Sequence, residues 1–220
     1  MRLLLIHTPG SEGSVALAEA REIVAAEVLP GRSSSERLVP AVRRLMALKD
    51  WSLSDLKAVV VVHGPGSFTG VRVGLSAAKG LCEAGGIPLI AISRLALLAA
   101  SAGETDETVH AMLDAGRGEF YYGEYAGHRC VRESLLSKEE VNAAVAGGGL
   151  VIVCEAKVAE MLSELNLQLV DEPSAGDALP LALERIAASE FDDVSLLDAN
   201  YLRRTDSEIF AKPKAKSAIR

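Results

Sequence analysis

The residues with the plainest chemical potential lie in one stretch, HGPGSFTGVRVGL, where Gly64, Gly66 and Gly70 are interleaved with Ser67 and Thr69. An all-apolar run, Ala58 to Val62, precedes them, and helix-compatible sequence starts near Val71. The spacing therefore predicts a strand, a tight turn and a helix N-terminus. Unpaired backbone N–H groups and the positive end of the helix dipole converge at such a junction, which makes it a candidate phosphate loop. Two details depart from known phosphate loops. Val71 and Arg72 stand where a P-loop carries Lys and Ser or Thr, and the GxGxxxG spacing is not the dinucleotide fingerprint. Ser67 and Thr69 can hydrogen-bond a phosphate or cap the helix, and Arg72 can pair with an anion or stand exposed in the first turn.

Other chemistry is sparse. His7, His63, His110 and His128 are dispersed, with no HxxxH or HExxH pair, so no metal site is expected. His7 and His63 both follow apolar strands, which allows them to meet at the strand ends, although no carboxylate or Cys lies at ligand spacing from either and a polar strand terminus is the better reading of each. No GxSxG elbow supports a serine nucleophile. Asp114, Arg117 and Glu119 surround a hairpin turn and read as turn and salt-bridge residues. Cys82, Cys130 and Cys154 are odd in number and far apart, which fits reduced thiols in a cytoplasmic protein.

The composition narrows the function classes. A formal charge of -7 argues against autonomous nucleic-acid binding, which needs a concentrated basic face. Aromatics make up 4% of the chain, so an aliphatic core is expected and stacking platforms for bases are few. The start, MRLLLIHTPG, lacks signal-peptide character, and no window reaches membrane-spanning length.

The elements that must hold these residues follow from periodicity and punctuation. Arg2 to Ile6 and Ser14 to Leu17 read as a hairpin, and Arg21 to Leu29 as a third strand, so antiparallel pairing is expected at one sheet edge. After Ser33, Ser34 and Ser35, which offer N-cap hydroxyls, Leu38, Val42 and Leu45 share one helix face with Val39 and Met46 beside them. The helix after the glycine loop carries Val71, Leu75, Ala78 and Cys82 on one face and Gly74, Ala77 and Leu81 on the next, so two neighbours are expected. A strand, Leu89 to Ile92, and a helix, Ser93 to Ala102, complete the first half, and the polar GETDET segment marks a lobe boundary. The second half repeats the plan: a hairpin over Val109 to Tyr125, a strand at Val131 to Leu136, a helix capped by Ser137 and Glu140, a strand at Leu150 to Cys154, a helix at Ala156 to Leu165 and a strand at Leu167 to Val170. A last helix covers Asp177 to Ser189. These readings predict an N-terminal lobe at 1–102, a C-terminal lobe at 103–205 and a basic flexible tail at 206–220.

On these residues the chain resembles the TsaB (YeaZ) family, the bacterial partner of TsaD in making threonylcarbamoyladenosine next to the tRNA anticodon. GPGSFTGVRVGLSAAKGL, residues 64–81, carries the likeness most specifically. SERLVPAV at 35–42, LDAGRGEFYYGEY at 113–125 and NYLRR at 200–204 agree. The resemblance implies an α/β fold of the two-lobed actin, hexokinase and Hsp70 type, ribonuclease H-like, with duplicated mixed-sheet lobes. It also implies a non-catalytic subunit, since the chemistry and the metal belong to TsaD. The pairing surface is expected on the first two helices, among Leu38, Val42, Leu45, Met46, Gly74, Leu75, Ala78 and Cys82, and the alternative is that these side chains face only their own sheet. Further expectations are a homodimer in isolation, TsaE in a larger assembly, contact with tRNA only through the complex, no tightly bound cofactor, and ATP or ADP only at the partner complex. Two positions depart from the family pattern: His7-Thr8-Pro9 replaces the usual Asp-Thr-Ser turn, and Ser34 stands where a histidine is usual. The competing readings are an ATP-dependent small-molecule kinase or hydrolase of the same fold and, weakest, an endopeptidase.

Overall fold

The computed structural model describes residues 1–31 and 34–202; the Ser33 hydroxyl, Arg203 and Arg204 of the closing motif, and the tail at 206–220 lie outside the described residues. Strands β1 (Arg2–His7), β2 (Gly13–Glu19) and β3 (Glu22–Leu29) form an antiparallel meander. β4 (Ala58–Val62) and β5 (Leu89–Ile92) join β1 in parallel on its other side, giving the order β3-β2-β1-β4-β5. β1 and β4 are apolar on both faces because both faces are covered. Leu4, Ile6, Val59 and Val61 pack under α1 (Ser34–Leu48) and α2 (Phe68–Gly85). Leu3, Leu5, Val60 and Val62 point the other way, toward α3 (Arg94–Ala100).

The second sheet repeats this arrangement. β6 (Thr108–Gly116), β7 (Glu119–Ala126) and β8 (Arg129–Ser137) form the meander. They are followed by α4 (Lys138–Val145), β9 (Leu150–Val153), α5 (Ala156–Met161) and β10 (Leu167–Leu169), in the order β10-β9-β6-β7-β8. Each sheet thus has its first strand in the middle, its second and third strands antiparallel on one side and its fourth and fifth parallel on the other. This is the duplicated, two-lobed ribonuclease H-like plan. The capping box expected at α4 is present in full: Ser137 Oγ accepts from Glu140 N–H, and the Glu140 carboxylate accepts from Ser137 N–H.

Two expectations need correction. The aliphatic core holds for the first lobe, but the largest fully buried side chains are Tyr122, Tyr125 and Phe120 of the second. The lobe division at 103–205 also fails, because the chain returns to the first lobe before its end. A 3-10 turn (Gly176–Ala178) leads into α6 (Leu179–Ala187), whose Leu179, Leu181 and Ala182 pack with Leu3, Leu5, Val60 and Ile90. Farther on, Asp192 bridges to Leu89, and the Asn200 N–H donates to the His63 carbonyl at 2.9 Å. The cause is area. α3 is seven residues long and shared between the sheets, Leu97 facing the first and Leu95, Leu98 and Ala99 the second. A second helix is therefore needed to cover β1 and β4, and each fully buried Leu or Val there contributes about 1.5–3 kcal/mol.

Candidate functional site

The glycine loop is packed against the turn that follows β1. Thr8 Oγ1 donates to the Gly70 carbonyl at 2.6 Å. A Cβ on Gly70 would stand 2.1 Å from the Thr8 carbonyl oxygen, and one on Gly66, whose φ is +153°, would stand 2.4 Å from the Pro9 carbonyl oxygen. These glycines permit backbone to approach backbone, with no need of a ligand to explain them. Two of the donors at the start of α2 are already engaged. Ser67 N–H donates to Pro9 O at 2.9 Å, and Gly70 N–H donates to Ser67 Oγ at 3.2 Å. Ser67 is therefore the helix cap, and Thr69 is exposed on the first turn.

Beyond the loop a cleft of about 1310 Å³ separates Gly66, Ser67, Phe68 and Arg72 from the β6–β7 hairpin. The Arg72 guanidinium lies 3.5 Å above the Phe68 ring and 5.8 Å from that of Tyr201. Across the cleft stand Asp114, Arg117, Glu119 and Glu133. Asp114 serves the turn, as expected: it accepts from Gly116 N–H at 2.8 Å and pairs with Lys157 Nζ at 2.5 Å. Burial alone would raise its carboxyl, but those partners hold it below the usual range. Among the described residues, no three His, Cys, Asp or Glu side chains are grouped to hold a metal.

His7 does not join His63, whose Nδ1 is 2.9 Å from the Ile92 carbonyl. It is 1% exposed, neither ring nitrogen has a hydrogen-bond partner, and burial with the nearby Arg94 charge pushes it down to about 4. Arg94 was not singled out in the sequence, yet it is the charge on which the lobes meet. It is 4% exposed, and its Nη2 donates to Glu172 Oε1 at 2.5 Å and to Glu155 Oε1 at 3.4 Å. Glu133 makes a second junction, accepting from Ser93 Oγ at 2.5 Å, from Asn200 Nδ2 at 2.6 Å and from Tyr125 OH. The signal for Arg94 was present: it is the lone charge in the otherwise apolar helix that starts at Ser93.

The expected partner surface needs correction at the level of side chains. Leu38, Val42, Leu45, Met46, Leu75, Ala78 and Cys82 all lie in the chain's own core beneath α1 and α2. Gly74 is buried too, because its missing Cβ leaves room for Thr8 Oγ1, 2.2 Å from where that atom would be. Helical periodicity finds the most apolar face, and the lobe's own sheet takes it. The outward faces carry other residues. On α1 these are Val39, 50% exposed, and Leu48, 71% exposed, with Arg43 and Arg44. On α2 they are Ser76, Gly80 and Ala84, all exposed, with Val73 and Ala77 half-buried at the edge of the core, and a Cβ on Gly80 would meet nothing within 4 Å.

A family model described as "TsaD: tRNA N6-adenosine threonylcarbamoyltransferase" matches residues 27–169. The Escherichia coli protein named "tRNA threonylcarbamoyladenosine biosynthesis protein TsaB" is 32% identical, over 92% of this chain and 95% of that one. The Bacillus subtilis protein of the same name is 34% identical, over 64% of this chain and 62% of that one. Among solved structures, "YeaZ from Pseudomonas aeruginosa" superposes with a TM-score of 0.78 at 31% identity, covering 91% of this chain and 99% of that one. With the duplicated sheets and the packed glycine loop, these likenesses lead to one conclusion: the chain belongs to the TsaD-type family and, within it, to the TsaB (YeaZ) proteins.

Proposed function

We propose that this chain works in tRNA threonylcarbamoyladenosine biosynthesis as a non-catalytic subunit that pairs with TsaD. The observation that carries the reading is the outward face of α2, where Gly80 and Ala84 are exposed beside the half-buried Val73 and Ala77 at the core's edge, leaving a surface low enough for close helix packing and flanked by the exposed Val39 and Leu48 of α1. The same face serves a homodimer when TsaD is absent, and TsaE joins the larger assembly. The net charge of -7 supports contact with tRNA only through that complex. ATP or ADP, if used, binds at the partner junction, since the Ser67 and Gly70 N–H groups of the glycine loop are taken by Pro9 and Ser67. The use of Ser67 as the helix cap also weighs against the kinase or hydrolase reading. No helix among the described residues is long and apolar enough to cross a membrane, in keeping with work on tRNA in the cytoplasm.

The test is to mix the chain with its cognate TsaD and separate the complex by size. Wild type forms a heterodimer, and Ala84→Glu, at an exposed position of α2, abolishes it while leaving the circular dichroism spectrum unchanged. Absence of a heterodimer with wild type, with and without nucleotide, overturns the reading. Leu45→Glu and Ala78→Glu would not serve, because a charge in the core unfolds the lobe.

A further inference from the structure

The strap that follows β10 brings the chain back to the first lobe, α6 covers one face of its sheet, and residues 189–200 then run along the other. This closing run is fastened at both ends. The Asp192 N–H donates to the Leu89 carbonyl at 2.8 Å, the Asp192 carboxylate accepts from Ala91 N–H at 2.7 Å, and Asn200 holds the His63 carbonyl. Between these points Val194, Leu197 and Ala199 pack into the core. Leu196 does not. It is 81% exposed, on a turn in which Asp193 Oδ1 accepts from the Ser195 N–H at 2.8 Å and the Ser195 hydroxyl at 2.6 Å, and the Asp193 carbonyl accepts from Leu197 N–H at 2.9 Å. An aliphatic side chain is held out to solvent by an ordered turn, so little backbone entropy remains to be lost when something packs on it.

The run lies along one side of α2 and is antiparallel to it: Asp193 is within electrostatic range of Lys79, and the Tyr201 ring that follows the run is 5.8 Å from the Arg72 guanidinium. On the other side of α2 stands α1. Arg44 pairs with Glu27 of β3 on the far flank of α1, and helical spacing turns Val39 and Arg43 to the near flank, toward α2. The two helices end together, since a Cβ on Gly85 would stand 3.4 Å from Leu53 Cβ, just past the end of α1. The outward surface therefore has three strips. α1 exposes Arg37, Arg43 and Arg44 against one acid, Glu36. α2 is low at Gly80 and Ala84, and its Lys79 and Glu83 offset each other. The closing run carries Glu190, Asp192, Asp193 and Asp198 with no Lys or Arg. One edge is basic and the opposite edge acidic.

Such a surface can be laid on a second copy of itself with two-fold symmetry in two ways. An axis across the helices sets α1 on α1, basic edge on basic edge. An axis along α2 sets α2 on α2 and each basic edge on the other copy's acidic edge, and the cost of like-charge contact favours this arrangement. We propose, building on the homodimer reading above, that the closing run is the second half of the self-pairing surface and fixes its sense. The two α2 helices cross closely at Gly80 and Ala84, while Leu196 of each chain packs on Val39 of the other and its Asp193 faces the other's Arg43. Rotation about an axis along α2 preserves the level along the helix. Leu196 lies midway between the Lys79 and Arg72 ends of the run, so it arrives at the middle of α1, where Val39 is exposed.

The experiment is sedimentation equilibrium of the full-length chain alone, at low ionic strength. Wild type is expected to dimerise. Leu196→Lys and Arg43→Glu are each expected to raise the dimer dissociation constant by about tenfold or more. Their circular dichroism spectra are expected to stay unchanged, because both positions are exposed. An equimolar mixture of the two variants is expected to regain most of the wild-type affinity, since the introduced charges then oppose each other and the other half of the interface is native. A wild type that stays monomeric overturns the homodimer reading and this proposal with it. A wild-type dimer indifferent to either substitution, or a mixture no tighter than the single variants, overturns only the sense and the segment proposed here. So does a Leu196→Lys chain that self-associates normally but fails to pair with TsaD, which assigns the closing run to that partner instead.

Discussion

At the scale of single residues, His7 is an imidazole held neutral. Its folded pKa, about 4, lies below the ordinary 6.5, so the unfolded chain takes up a proton that the folded chain refuses as pH falls between those values. Stability is therefore full above pH 6.5 and declines toward pH 4, by on the order of 3 kcal/mol if His7 acts alone. Replacing it with leucine, which needs no hydrogen bond, is expected to flatten that limb of a urea-denaturation profile measured from pH 7 to pH 4. Gly70 makes the opposite kind of demand. A Cβ there meets the Thr8 backbone, which cannot move aside as a side-chain tip would, so Gly70→Ala is expected to lower stability by about 1–3 kcal/mol in denaturant titration.

At the scale of elements, α2 has two glycines whose surroundings separate their roles. Gly80 faces open space, and an alanine there gains helix propensity of roughly 1 kcal/mol. Gly74 sits over Thr8 Oγ1, and an alanine there displaces the hydroxyl that holds the Gly70 carbonyl. Gly80→Ala is accordingly expected to raise the melting temperature of the isolated chain, and Gly74→Ala to lower it, in parallel calorimetric scans. Sequence periodicity located α1 and α2 to within a few residues and identified their most apolar stripes. It could not say what each stripe would face. Two apolar faces on a helix imply two neighbours, and only the packed lobe shows that the stronger face of α2 belongs to β1 and β4, leaving Gly80 and Ala84 outside. The Ser67 ambiguity is of the same kind. A serine before a helix can cap or bind, and the choice lies in whether another backbone, here that of Pro9, has already taken the neighbouring donor.

At the scale of the whole molecule, the first lobe is made of two chain segments joined across the second. The return of α6 buries Leu179 and Leu181 on the β1 and β4 face, so the lobes share one folding unit. Leu179→Ala is expected to cost about 2–5 kcal/mol in a single cooperative urea transition. A chain ending at Val170 is expected to lose that transition, as read by circular dichroism. Arg94 and Glu172 belong to the same scale, because 78 positions separate them and the crossing of the strap brings them together.

The sequence by itself determined the order of elements, the doubling of the strand-rich plan, the cap at α4 and the family likeness in residues 64–81, since all of these rest on local spacing or on residue identity. Tertiary structure decided the rest: which helix face remained outside, what the loop glycines touch, where α6 went, and which buried charges met. Each of these depends on contacts between residues far apart in the chain, and local periodicity carries no record of the partner that a face, a donor or a charge will find.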